Sequence, residues 1–180
     1  MTVTHSVLYL KHIKAMKHKT YEIVLLGMLG ALAYVGQVAL SFLPNIEVVS
    51  ILFLVYTKVF KKKALFPVYV FVLLEGVFWG FGSWWIMYLY VWTVLWGITM
   101  LFSKNDSPLL WAVINGAFGL SFGALCSVTQ GALYGIGSGL AYFISGIPYD
   151  ILHCVGSFFT ALFLYKPLTF LLTKAKKACK

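Results

Sequence analysis

The chain has 180 residues, of which 61% are hydrophobic, 18% aromatic and only 11% charged, with a formal net charge of +9 and a mean hydropathy of +0.90. A water-soluble domain carries roughly 25% charged residues and about 45–50% apolar ones, and a chain of this size cannot bury so large an apolar excess in one water-facing fold. The composition therefore implies a polytopic membrane protein. It also excludes a nucleic-acid-binding reading of the positive charge, because too little polar surface remains to display it.

The first 20 residues form a basic arm, with Lys11, Lys14, Lys17 and Lys19 interleaved with His5, His12 and His18. Such an arm is expected to lie on anionic lipid at the cytoplasmic surface. Six apolar segments follow within residues 21–173, over 22–43, 46–56, 64–81, 84–102, 109–133 and 146–172. A basic tail, 174–180, closes the chain. The predicted fold is an all-α membrane protein, a bundle of six transmembrane helices. The second segment is short for a span of about 20 residues and is expected to be tilted or to cross only in part. Proline, glycine and asparagine punctuate the breaks. The glycine-rich run 131–139 reads as the last of them, followed by a short surface helix over 140–145. The first segment is too long for the apolar core of a cleavable signal peptide.

Every basic residue is lysine. With six spans, the lysines at 11–19, 58–63, 104 and 166–180 all fall on one side. The positive-inside rule makes that side the cytoplasm and places both termini there. A model with five or seven spans would scatter them over both faces.

Polar groups are costly inside a membrane, so they nominate functional positions. Of five acidic residues, Glu22 and Asp106 belong to the lysine-rich side and are expected to be solvated. Glu47, Glu75 and Asp150 fall towards the other side, where no lysine can neutralise them. Asp150 and His153 are three apart and share a helix face, with Tyr149 beside them; Pro148 reads as the first residue of the last span. The pair either faces a ligand or is a dipole-stabilised acid beside a packed histidine. Glu75, with Trp79 one turn on, either holds a cationic or N–H-rich ligand or is a protonated packing residue. Asn45, Glu47 and Gln130 each serve equally as a helix cap or a ligand contact.

The fourth segment is the most aromatic, and Trp85, Tyr88, Trp92 and Trp96 form one stripe. Trp84 and Trp85 suit the membrane interface. Trp92 and Trp96 lie deeper, about 10–18 Å in at 1.5 Å per residue; Trp92 either packs or walls a cavity for a flat ligand, and Trp96 reads as packing. Gly27, Gly30, Ala31 and Ala33 in the first segment, and Gly116, Gly119 and Gly123 in the fifth, offer close-contact surfaces. Gly27 and Ala31 sit where a second membrane subunit could dock. Cys126, Cys154 and Cys179 show neither disulfide nor zinc spacing. No hydrolase, metalloprotease or phosphate-loop motif is present, and neither an enzyme nor a metal centre is expected.

A small, basic-inside chain with polar groups near its outer loops resembles the substrate-binding S component of an energy-coupling factor (ECF) vitamin transporter. The stretches that carry the likeness are Leu43-Pro44-Asn45-Ile46-Glu47-Val48-Val49-Ser50, Trp84-Trp85-Ile86-Met87-Tyr88-Leu89-Tyr90-Val91-Trp92 and Gly146-Ile147-Pro148-Tyr149-Asp150-Ile151-Leu152-His153-Cys154. The resemblance implies a multi-pass protein of a prokaryotic plasma membrane that captures a micronutrient at its outer side. It would dock on a membrane T subunit carried by two cytoplasmic ATPases, with ATP and Mg in those partners and no cofactor in this chain. Family members often carry Ala-x-x-x-Ala in the first span for T-subunit contact; here Gly27-Met28-Leu29-Gly30-Ala31 is a small-x-x-x-small variant. The family's ligand site would use spans four to six and the outer loops, so Glu75 rests on the acidic-residue argument alone. An aromatic, acid-lined pocket without outer lysines suits a neutral or cationic heteroaromatic compound, whether thiamine-, pyridoxamine-, deazapurine- or cobalamin-like. The competing expectation is a self-contained secondary transporter or channel.

Overall fold

The structure, a computed structural model, describes the backbone of residues 2–43 and 45–178 and the side chains from Lys19 onward. The lysines and histidines before Lys19, together with Pro44, Cys179 and Lys180, lie outside the described side chains. The described residues form six α-helices: α1 (Thr2–Leu40), α2 (Val49–Phe60), α3 (Leu65–Trp79), α4 (Ser83–Leu101), α5 (Pro108–Tyr134) and α6 (Ile136–Ala178). A single 3₁₀ turn, Lys61–Ala64, joins α2 to α3. Among the described residues there is no strand.

Four of these helices are long and apolar enough to cross a membrane: Lys19–Leu40 of α1, then α4, α5 and α6. The other two are shorter, 12 residues in α2 and 15 in α3, or about 18 and 22 Å against a hydrocarbon layer of about 30 Å. The second apolar segment starts later than its composition suggests, so Ile46 to Val48 belong to the connector. Its apolar residues serve packing. Val49, Ile51, Leu54, Val55 and Tyr56 are fully buried, and α2 is enclosed chiefly by α4 and α6, with α1 and α5 beside it. The Tyr56 hydroxyl donates to the Leu29 carbonyl at 3.0 Å, which satisfies the phenol inside that core.

The most extensive seam lies between α5 and α6, where glycine lets two backbones meet. A Cβ at Gly119 would stand 2.8 Å from the His153 carbonyl oxygen, and one at Gly139 would stand 2.9 Å from both the Gly131 Cα and the Ser127 carbonyl oxygen. The expected break over 131–139 narrows to one residue, Gly135, whose φ of +92° an L side chain rarely adopts. No separate surface helix covers 140–145: α6 runs unbroken to Ala178, with Pro148 and Pro167 inside it. Pro148 is therefore not its first residue. A proline inside a membrane helix is tolerated where neighbouring groups satisfy the freed carbonyl.

At one end of the bundle the lysines converge. The Lys58 ammonium donates to the Ser103 carbonyl at 2.9 Å and to that of Asn105, and pairs with Asp106 at 2.6 Å. Asp106 is thus held below its ordinary range by Lys58. Lys63 pairs with Glu22 at 2.6 Å, and Lys176 donates to the Val59 carbonyl at 2.6 Å. Lys166 follows Tyr165, whose ring stacks on Trp111 with centroids 5.8 Å apart, and the Trp111 indole donates to Asn105 at 3.0 Å. Trp96, expected to pack, donates to the Lys61 carbonyl at 3.2 Å.

The seam yields a direct test. Gly119→Val should destabilise the protein by about 1–3 kcal/mol through overpacking, read as a fall in thermal midpoint in detergent. Gly97→Ala, where a Cβ meets nothing within 4 Å, should not lower the midpoint and, inside α4, should raise it slightly.

Candidate binding cavity

At the end opposite the lysines a cavity of about 680 Å³ opens between four helices and the α1–α2 connector. Its size falls within the range of about 300–1,000 Å³ for small-molecule sites. Gln37 comes from the end of α1, Ser41, Asn45 and Glu47 from the connector, Tyr88 and Trp92 from α4, and Phe122 and Gly123 from α5. The first turns of α6 supply Tyr142, Ser145 and Gly146, then Tyr149, Asp150 and His153.

Asp150 is buried against α5. Its Oδ1 accepts the Gly123 backbone N–H at 3.0 Å, and the missing Cβ of Gly123 makes room, since one there would collide with the carboxylate. Its Oδ2 has no hydrogen-bond partner among the described residues. Trp92 shares that condition: it is 2% exposed, and no described group accepts from its indole N–H. Edge-on contacts with Phe53 at 5.1 Å, Tyr88 at 5.5 Å and Phe71 at 5.8 Å fix its ring. Trp92 thus both packs and lines the cavity. A buried donor and a buried acceptor without partners are expensive to leave unsatisfied.

His153 shares the cavity face with Asp150, and its nearest polar partner comes from the connector. Its Nε2 lies 3.3 Å from Oε1 of Glu47. Glu47 also accepts the Ser50 N–H at 2.8 Å and the Ser50 hydroxyl, with the Ser157 hydroxyl at 3.4 Å. Asn115 donates to Ser50 at 3.1 Å and to the Ser157 carbonyl at 2.9 Å. A buried polar chain therefore runs from α5 through α2 and the connector to α6. Asn45, in the left-handed conformation at φ +57° that asparagine tolerates, donates to the Tyr149 carbonyl at 2.9 Å.

Of the sequence-predicted positions, Asn45, Glu47, Tyr88, Trp92, Tyr149, Asp150 and His153 are brought together here. Trp85 is not: it turns to α3, donating to the Val72 carbonyl at 2.8 Å. Gln130 is half-buried and outside the lining. Glu75 and Trp79 line a smaller hollow of about 220 Å³ between α1, α3 and α4, which shares Gln37, Ser41 and Tyr88 with the main cavity. Glu75 is buried with one oxygen unpartnered among the described residues, whereas Trp79 is exposed. In the first span Gly30 is spent internally, packed on Pro67 and Val70 of α3, while Gly27 has open space beside it and Ala31 is exposed.

Phe122, which lines the cavity with its ring 5.1 Å from that of His153, and Asn115 escaped the sequence analysis. Phe122 carried a usable signal, being one residue before the Gly116-Gly119-Gly123 face. Among the described residues no group of three His, Cys, Asp or Glu side chains is gathered that could hold a metal ion. Comparison with protein-family models, curated proteins and solved structures finds no match to this chain.

The Glu47–His153 contact is open to a double-mutant cycle with Glu47→Gln and His153→Phe. Unfolding in mixed micelles should show a coupling of about 0.5–3 kcal/mol; additive effects would mean the two side chains do not interact.

Proposed function

We propose that this chain is the substrate-binding S component of an ECF-type ABC transporter, capturing a neutral or cationic heteroaromatic micronutrient at the outer face of a prokaryotic plasma membrane. The observation that carries the reading is the cavity at the lysine-free end, with the unpartnered Asp150 carboxylate oxygen and Trp92 indole N–H inside it. In this reading the lysine-rich end is cytoplasmic by the positive-inside rule, so the cavity opens outward. All six helices then traverse the layer with both termini inside. Enclosure by its neighbours frees α2 from having to match the lipid thickness.

Ligand chemistry follows from the lining. Tyr88, Trp92 and Phe122 offer faces and edges to a flat ring. Asp150 accepts from an exocyclic amine or ring N–H, and Trp92 donates to a ring nitrogen or carbonyl. No lysine lines the cavity, which disfavours polyanions. For delivery, the half-buried Gly27 and the exposed Ala31 on one face of α1 would meet a membrane T subunit, and two ATPases holding ATP and Mg would drive release.

Mass spectrometry of small molecules released from the gently purified protein tests the reading. A stoichiometric heteroaromatic metabolite is expected. Transport of that metabolite by the chain alone in liposomes, with no ATPase present, would overturn the S-component assignment in favour of a self-contained transporter. Asp150→Asn should weaken binding of the released metabolite by about 1.5–3 kcal/mol, the worth of a hydrogen bond to a charged group. Unchanged affinity by calorimetry would remove Asp150 from the site.

A further inference from the structure

A second hollow, about 320 Å³, lies at the lysine-rich end between α1 and the start of α3. Its rim carries Lys19, Lys62 and Lys63 against a single carboxylate, Glu22. Glu22 is already engaged by Lys63, at 2.6 and 2.8 Å, and this pair ties α1 to the 3₁₀ turn across the groove. Lys19 and Lys62 are exposed and enter no ion pair or hydrogen bond among the described residues. Two positive charges are therefore uncommitted at the mouth. Below them the wall is apolar: Ile23 and Leu26 from α1 face Phe66 from α3. Lys19 lies just before the apolar segment that opens at residue 22, which sets the mouth at the edge of that segment.

We infer that this groove binds one anionic phospholipid. The phosphate sits between Lys19 and Lys62, and an acyl chain runs along Ile23, Leu26 and Phe66. The occupant is chosen by charge and polarity together. A zwitterionic lipid brings no net charge to two unpaired ammonium groups, and a free phosphate leaves the apolar wall uncovered. Basic pockets between membrane helices at this depth recognise anionic headgroups in this way. The inference needs only that the chain spans a membrane, and stands apart from the transporter reading.

Native mass spectrometry of the full chain in detergent, titrated with dioleoylphosphatidylglycerol and dioleoylphosphatidylcholine, tests it. One phosphatidylglycerol should be retained in preference to phosphatidylcholine. Lys19→Ala with Lys62→Ala should weaken that retention about 10–30-fold. Lys174→Ala with Lys177→Ala, which removes the same charge from exposed positions on α6, should leave it unchanged. Ile23→Trp, which fills the groove with the charges intact, should give the same loss and covers the case in which the lysine pair destabilises the protein. Equal retention of both lipids, equal loss from both lysine pairs, or displacement of the lipid by excess inorganic phosphate would each overturn the inference.

Discussion

The backbone contact between α5 and α6 is the constraint on which the rest of this structure depends. Where Gly119 and Gly123 face α6, side chains are absent and the main chains approach closely enough for the Asp150 carboxylate to take a backbone N–H from α5. In lipid there is no hydrophobic force between helices, so such contact is a principal source of cohesion. The same closeness orients an acidic group that would otherwise be intolerable in an apolar layer. One carboxylate oxygen is satisfied by the seam, and the other is left for whatever enters the cavity.

The enclosed α2 does the complementary work. It is too short to need lipid contact, and its N-terminal Ser50 joins Glu47 to Asn115. A polar chain of this kind links the connector, α5 and α6 without any helix exposing a charge to lipid. Its members hold one another in place, which gives the cavity mouth a defined shape. The aromatic cluster around Trp92 closes the inner side by packing alone.

What was legible in the amino-acid order follows from which energies are local. A lysine is expensive in hydrocarbon whatever its neighbours, so the convergence of Lys58, Lys63, Lys104 and Lys176 at one end could be read from position alone. Apolar runs located the six helices for the same reason. Partner-dependent features could not be read. Trp85 and Trp92 are seven residues apart and share a stripe, yet one spends its N–H on α3 and the other does not. Asp150 and His153 share a face, but the nearest partner of the histidine comes from Glu47, 106 residues away. Glycine and proline misled where soluble-protein habits were applied: Gly131 and Gly139 make a contact rather than a break, and Pro148 rides inside a continuous helix.

The convergence of the lysines also has a practical side. Lys19, the 3₁₀-turn lysines, Lys104, Lys166 and those ending α6 all sit at the pole away from the cavity. Coupling through the primary amines of these described lysines, whether to a resin, a sensor chip or a fluorophore, would therefore attach the molecule by that pole. A layer immobilised through them would share one orientation, with the cavities facing away from the support.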